Sequence, residues 1–215
     1  MYISKTSDYV PQSKKLIKKL LQVDNLCPPL FLIVLCATQI GFSQNQKRVD
    51  SLLSVVKKQT DTTQIITYAM LWAEYLYVDP LASKPYLDST VVLAKRLENK
   101  RFIARTTNYL GVYHNMTSQY EKSIPIYDEV IRMYTELNDM AQVSAAMNNK
   151  ANSFRSLGRY NECLEVHLQS LKVKEEINDT EESIAASHWN IGNIQGDIGT
   201  YEISNDDYNK ARIVS

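Results

Sequence analysis

The chain has 215 residues, and its 24 basic and 24 acidic side chains give a formal net charge of zero. Hydrophobic residues make up 44% and charged residues 22%, with only six glycines and six prolines, which favours a folded, helix-rich protein over a disordered one. A nucleic-acid binder needs a basic surface, and this charge balance argues against one.

Residues 1–44 differ in composition from the rest of the chain. Four lysines between positions 14 and 19 precede an apolar run over residues 29–40, and Gly41, Phe42 and Ser43 follow. This order is typical of a secretory signal peptide, so we expect cleavage near Ser43. The run is shorter than the about 20 residues of a membrane span, but an uncleaved signal anchor and a buried helix remain alternatives. We therefore expect an exported protein, periplasmic or attached to the outer side of the membrane.

The next segments are predicted to be helical. Over residues 45–60, four apolar residues recur at helical spacing and predict a short leading helix at the N-terminal end of the fold. Residues 61–99 form a weak first pair of helices. In its turn, Asp79 precedes Pro80, which predicts an N-cap followed by proline at the first helical position.

A pattern then returns every 40 to 41 residues. Gly111, Ala151 and Gly192 occupy the same point of it, and a tyrosine follows each of them nine residues later. Such a period indicates pairs of helices that bury their apolar sides only against neighbouring pairs. It divides the chain into units of residues 61–99, 100–139, 140–179 and 180–215. The last unit ends inside its second helix, so we expect it to be truncated.

Within a unit the local signals agree with two helices. Apolar residues between 120 and 134 step by four and three positions and line one helix face. The small residues at the repeated point predict a close crossing of two helices, and Gly158 and Gly199 predict turns with positive φ. Pro125 lies inside a helix, where we expect it to cause a kink.

These residues resemble the tetratricopeptide repeat in its long form of about 40 residues. Leu110-Gly111 and Ile191-Gly192 match the Leu-Gly step of that family, and Gly158-Arg159-Tyr160 is similar to its turn. The resemblance implies an all-α fold, a right-handed α-solenoid of antiparallel helix pairs. In each pair, the first helix, helix A, lines a concave groove, and the second is helix B.

No catalytic motif is present in the sequence. A phosphate-binding glycine loop, a Gly-x-Ser-x-Gly sequence, a Cys-x-x-Cys pair and a His-Glu-x-x-His motif are all missing. The three histidines, His114, His167 and His188, fall on inward positions of the repeat and are interpreted as packed imidazoles rather than metal ligands. We expect no enzyme activity, no cofactor and no metal.

The predicted groove carries amide, arginine and aromatic side chains. The candidate binding residues on helices A are Arg105, Asn108, Asn148, Asn152, Arg155, Trp189 and Asn193. An amide both donates and accepts, so it can pair with a peptide backbone in both directions. The resemblance implies that such asparagines hold peptides and that groove arginines bind carboxylates. The alternative is that asparagine merely fills polar helix positions.

Two functions fit these features. The first is an exported protein–protein interaction module that binds a peptide or a partner protein in its groove. The second is the sensory N-terminal region of a bacterial membrane signalling protein, such as a sensor histidine kinase or a cyclase, whose membrane helix and catalytic domain would follow Ser215. The coding sequence downstream of Ser215 distinguishes them. In both, contact with the membrane is limited to the N-terminal segment or to such a following helix.

Overall fold

The computed structural model describes residues 46–199, 207 and 209–212. The predicted export segment, residues 1–44, lies outside the described residues. The chain divides into two compact units, residues 1–58 and 59–215. Helix α1, residues 46–56, belongs to the first unit. None of the described helices combines the length and the apolar character that crossing a membrane requires.

Seven long helices follow in the second unit. They are α2 (Asp61–Leu76), α3 (Pro80–Arg96), α4 (Lys100–Met116), α5 (Tyr120–Glu136), α6 (Met140–Ser156), α7 (Tyr160–Glu176) and α8 (Glu181–Ile198). Each of them packs mainly against the next in sequence, and α4 also contacts α6. They therefore form stacked antiparallel pairs, with α2, α4, α6 and α8 as helices A. The described residues contain no strand, and the predicted all-α solenoid is confirmed.

Short connections of three or four residues join consecutive helices. In five of them the second residue has a positive φ between 50° and 72°, and these residues are Glu98, Ser118, Asn138, Gly158 and Asn178. The Asp139 N–H donates to the Tyr134 carbonyl at 2.9 Å and the Asn138 N–H to Thr135 at 3.0 Å, which is the Schellman arrangement. The positive φ predicted at Gly158 and Gly199 is confirmed, with values of 72° and 92°.

Capping side chains begin several helices. The Asp79 carboxylate accepts from the Ala82 N–H at 3.0 Å, and Pro80 follows at the first helical position, which confirms the cap predicted for α3. Asp139 caps α6 through the Gln142 N–H. Two of the turns contain the sequence Asn-Asp. In both, the asparagine takes the left-handed backbone conformation. The aspartate either caps the next helix or hydrogen-bonds beside its cap.

The core lies between the helices of each pair and of neighbouring pairs. Tyr127 of α5 is fully buried, and a Cβ atom added to Gly111 of α4 would lie 2.6 Å from its Cε1 atom. Ala151, at the equivalent point of the next unit, is also fully buried. The close crossing predicted from small residues is confirmed at Gly111.

Pro125 does not end the helix in which it lies. It is the sixth residue of α5, which continues to Glu136, and Pro85 is the sixth residue of α3. Proline there removes the donor for the carbonyl of the first helical turn, close to the N-terminus. The helix continues through Pro125, and the kink expected there stays a prediction.

Candidate functional site

The candidate site is the exposed side of helices A, which we call the A face. Four positions, the sixth, tenth, thirteenth and seventeenth counted from the start of each helix A, are at least partly exposed in all four units. They follow one another by four, three and four residues and therefore lie on one side of a helix. All seven predicted binding residues lie at or beside these positions.

Arg105 and Asn108 lie on α4 and both have partners within the protein. The Arg105 Nε atom donates to the Tyr109 hydroxyl at 2.8 Å, while the guanidinium remains exposed. The Asn108 Oδ1 atom accepts from the Asn149 amide of α6 at 3.3 Å. Asn108 therefore connects the helices A of the second and third units, a role that the spacing along one helix could not indicate.

The side chain of Asn148 on α6 hydrogen-bonds to a buried histidine. Its Oδ1 atom lies 3.2 Å from Nδ1 of His167 on α7, a residue that is 2% exposed. His167 takes the position that Tyr127 has in the preceding unit. Burial, together with the positive charges of Arg155 and Lys174, lowers the pKa of His167 to about 4. The ring is therefore neutral at pH 7, and its Nδ1 tautomer donates to Asn148.

Asn152, Arg155 and Trp189 remain exposed to solvent. The Asn152 side chain hydrogen-bonds to none of the residues that the structure describes. Arg155 donates to Asp197 of α8 at 2.9 Å, so an ion pair joins the third and fourth units. Trp189 of α8 is 55% exposed, and Asn193 is half-buried one turn further along the same helix.

A polar cluster behind the A face fixes how α4, α5 and α6 cross. Asn115 donates to the Tyr127 hydroxyl at 3.3 Å and accepts from the Ser153 hydroxyl at 2.9 Å. Ser123 lies 2.8 Å from Ser153 in the same buried layer. Burial raises the pKa of Tyr127. Sequence reasoning missed this cluster, because its members come from three different helices.

Metal binding has no support in the described part of the chain, where no group of three His, Cys, Asp or Glu side chains could hold an ion. His188 of α8 instead lies 2.9 Å from an Asp207 carboxylate oxygen. His167 is paired with Asn148, as described above.

Asn148 and Asn152 of α6 are expected to differ in their effect on stability. Asn148→Ala leaves the buried His167 Nδ1 without its partner and should lower the free energy of unfolding by about 1–3 kcal/mol. Asn152→Ala removes an exposed side chain and should change it by less than about 0.5 kcal/mol. Urea denaturation followed by circular dichroism measures both values. Equal losses in the two variants would contradict the assigned hydrogen bond.

Comparisons with known proteins agree with this geometry. The family profile of the tetratricopeptide repeat matches residues 143–181, which span α6 and α7, and the resemblance stated from the sequence is confirmed. Comparison with curated proteins gives no match.

Solved structures share the fold at low sequence identity. The tetratricopeptide repeat sensor protein of Pyrococcus horikoshii, a signal transduction ATPase with numerous domains, has a TM-score of 0.72 and 11% identity over 86% of this chain and 29% of its own. BtubC from P. vanneervenii has a TM-score of 0.69 and 13% identity over 94% and 87%. A Rap protein in complex with competence and sporulation factor has a TM-score of 0.69 and 14% identity over 95% and 59%. These likenesses show the fold.

Proposed function

We propose that this chain, a tetratricopeptide-repeat solenoid, is a protein–protein interaction scaffold that holds a peptide segment of a partner protein against its A face. The observation that carries the proposal is the exposed side chain of Asn152, whose amide has no partner among the described residues. An exposed amide without an internal partner is able to donate to and accept from the backbone of a bound peptide. The complex of a Rap protein of the same fold with competence and sporulation factor supports the proposal.

Amide hydrogen bonds alone would give weak binding. Each one contributes roughly 1 kcal/mol net, whereas a micromolar complex needs about 8 kcal/mol. Exposed apolar side chains on the A face have to supply the remainder, and the indole of Trp189 is the largest of them on α8. The ligand therefore has to bring both backbone amides and side chains that bury apolar surface.

The two arginines of the A face differ in how far their charge is available to a ligand. Arg155 is neutralised by Asp197 at 2.9 Å, so the pair presents little net charge to a ligand. Arg105 has no carboxylate partner among the described residues, and its guanidinium lies beside the Tyr109 ring and donates to the Tyr109 hydroxyl. The carboxylate-binding role predicted for the groove arginines therefore belongs to Arg105 rather than to Arg155.

A displayed library of random 12-residue peptides tests the proposal. We expect the immobilised chain to retain a subset of peptides, and Asn152→Ala to weaken binding of the synthetic peptides about five- to tenfold, as the loss of one or two hydrogen bonds requires. Fluorescence anisotropy of labelled peptides measures the dissociation constants. Asn161→Ala is the matched control, because Asn161 is exposed on helix B of the same unit. If no peptide is retained, or both variants bind equally weakly, the proposal fails.

A second candidate is the sensory region of a membrane signalling protein. It is favoured by the likeness in fold to the Pyrococcus horikoshii protein with a tetratricopeptide repeat sensor, of which this chain covers 29%. An apolar run of about 20 residues encoded downstream of Ser215, followed by a kinase or cyclase domain, would support this candidate. A stop codon there would favour the scaffold.

Export is a further part of the proposal. It rests on the basic, apolar and small residues in residues 14–44. Fusion of residues 1–60 to a phosphatase reporter that is active only after export would test it, and an inactive but expressed fusion would refute it.

A further inference from the structure

The polarity of the A face changes along the solenoid. At the tenth position of helices A, the four units in order have Met70, Tyr109, Asn149 and Asn190. At the thirteenth position they have Ala73, Val112, Asn152 and Asn193. At the seventeenth position they have Tyr77, Met116, Ser156 and Asp197. Each of these three rows is apolar or aromatic in the first two units and polar in the last two, whereas the row at the sixth position consists of Ile66, Arg105, Ala145 and Ala186. The change falls between α4 and α6.

The apolar part is accessible to a ligand. On α2 and in the turn that follows it, Ile66 is 44% exposed, Met70 38% and Tyr77 77%, and on α4 Met116 is 39% exposed. Ile66, Met70, Ala73 and Tyr77 follow one another by four, three and four residues. They therefore form a continuous stripe on one side of α2 and of the turn after it. A contiguous apolar stripe on a folded protein is unusual and marks an interaction surface.

One uncompensated positive charge adjoins this stripe. Arg101 pairs with Asp139 at 2.8 Å and Arg155 with Asp197 at 2.9 Å, whereas Arg105, at the sixth position of α4, has no carboxylate partner among the described residues. Ile66 is its equivalent on α2. A ligand that covers the stripe therefore passes beside a guanidinium that can form a charge-assisted hydrogen bond with a carboxylate.

We infer that the A face selects a two-part peptide, in which apolar side chains cover α2 and α4, a carboxylate side chain adjoins Arg105, and a polar stretch lies over α6 and α8. This inference rests on the proposed function and names its ligand class. Packed helices lie about 8–10 Å apart and an extended chain advances about 3.3 Å per residue, so a ligand that crosses the three intervals between four helices A has about seven to nine residues. Over α6 and α8, Asn152 and its neighbours bind the backbone amides of the ligand, and a side chain of the ligand packs on the indole of Trp189, which is 55% exposed.

The sequences of the retained 12-residue peptides test the inference. We expect them to carry two or three apolar residues in one half, an Asp or Glu next to these, and a polar other half. For a labelled peptide of this kind, Met70→Ser should raise the dissociation constant about fivefold, through loss of buried apolar surface, and Arg105→Gln by a similar factor.

Matched changes in the peptide separate the contribution of the apolar contacts to the affinity from that of the carboxylate. Arg105→Gln should leave unchanged the affinity for a peptide whose acidic residue is replaced by its amide, and Met70→Ser should do the same for a peptide whose apolar residues are replaced by serine. Val92→Ser is the control, since Val92 is 65% exposed on α3, the helix B of the same unit, and it should have no effect.

Three results would overturn the inference. Peptides that bind through Asn152 but are insensitive to Met70→Ser and Arg105→Gln would leave the proposed function intact and remove this ligand class. Self-association in analytical ultracentrifugation that Met70→Ser abolishes would assign the stripe to a second copy of the chain. Retention of no peptide would end the proposed function together with the inference.

Discussion

Replacement of Gly111 by alanine is expected to destabilise the protein by about 1–3 kcal/mol, although alanine is the better helix former by about 1 kcal/mol. The added Cβ would lie 2.6 Å from Cε1 and 2.8 Å from Cζ of Tyr127. The ring cannot move away easily, because Tyr127 is fully buried and its hydroxyl accepts a hydrogen bond from Asn115. Thermal and urea denaturation of the two proteins measure the loss.

A double-mutant cycle identifies the cause of that loss. Leucine at position 127 lacks the ring atoms that the new methyl group would meet, so Gly111→Ala in a Tyr127→Leu background should be neutral or stabilising. The same loss in both backgrounds would show that the crossing of α4 and α5 is not the source of the strain.

Acidification is expected to destabilise the fold through His167. Its pKa is about 4 in the folded protein, against about 6.5 in the unfolded chain. Below pH 6.5 the unfolded chain therefore takes up the proton first, and stability is lost as the pH falls from about 6.5 to about 4. Between pH 7 and pH 5 the loss from this residue is about 2 kcal/mol. Urea unfolding at both pH values measures it.

His167→Gln is the control for this prediction. Glutamine does not titrate and can still hydrogen-bond to Asn148, so the difference in stability between pH 7 and pH 5 should shrink by about 2 kcal/mol. Burial also lowers the pKa of His114, but His114 is present in both proteins and its contribution cancels. Parallel pH profiles for the two proteins would rule out His167 as the source.

Signals that repeat or act over a few residues could be predicted from the sequence. Helical spacing and the period of about 40 residues indicated the helix pairs, Gly111 a close crossing, and Asp79 with Pro80 the start of α3. Each of these depends on backbone preferences or on packing that every unit repeats. The left-handed conformation at Glu98 and Ser118 was not predicted, because neither residue type favours it.

The use of individual side chains in the candidate site was beyond sequence reasoning. Asn108 pairs with a residue 41 positions away and Arg155 with one 42 positions away, and Asn148 pairs with His167 in the facing helix. Spacing along one helix indicates which residues lie on the same side of that helix. It does not indicate which residues of another helix form hydrogen bonds or ion pairs with them. Asn152 has no partner among the described residues, whereas Asn148 pairs with His167, and this distinction therefore needed the structure.

The uniform short connections have a consequence for how such a protein can change in length. Each helix contacts mainly its immediate neighbours, and five connections have their left-handed residue at the same place. Insertion or deletion of one complete helix pair would therefore rejoin compatible ends and preserve the geometry on both sides. Loss of a single residue inside a connection would instead rotate everything that follows. Recombination between genes of this kind can thus lengthen the A face in steps of about 40 residues.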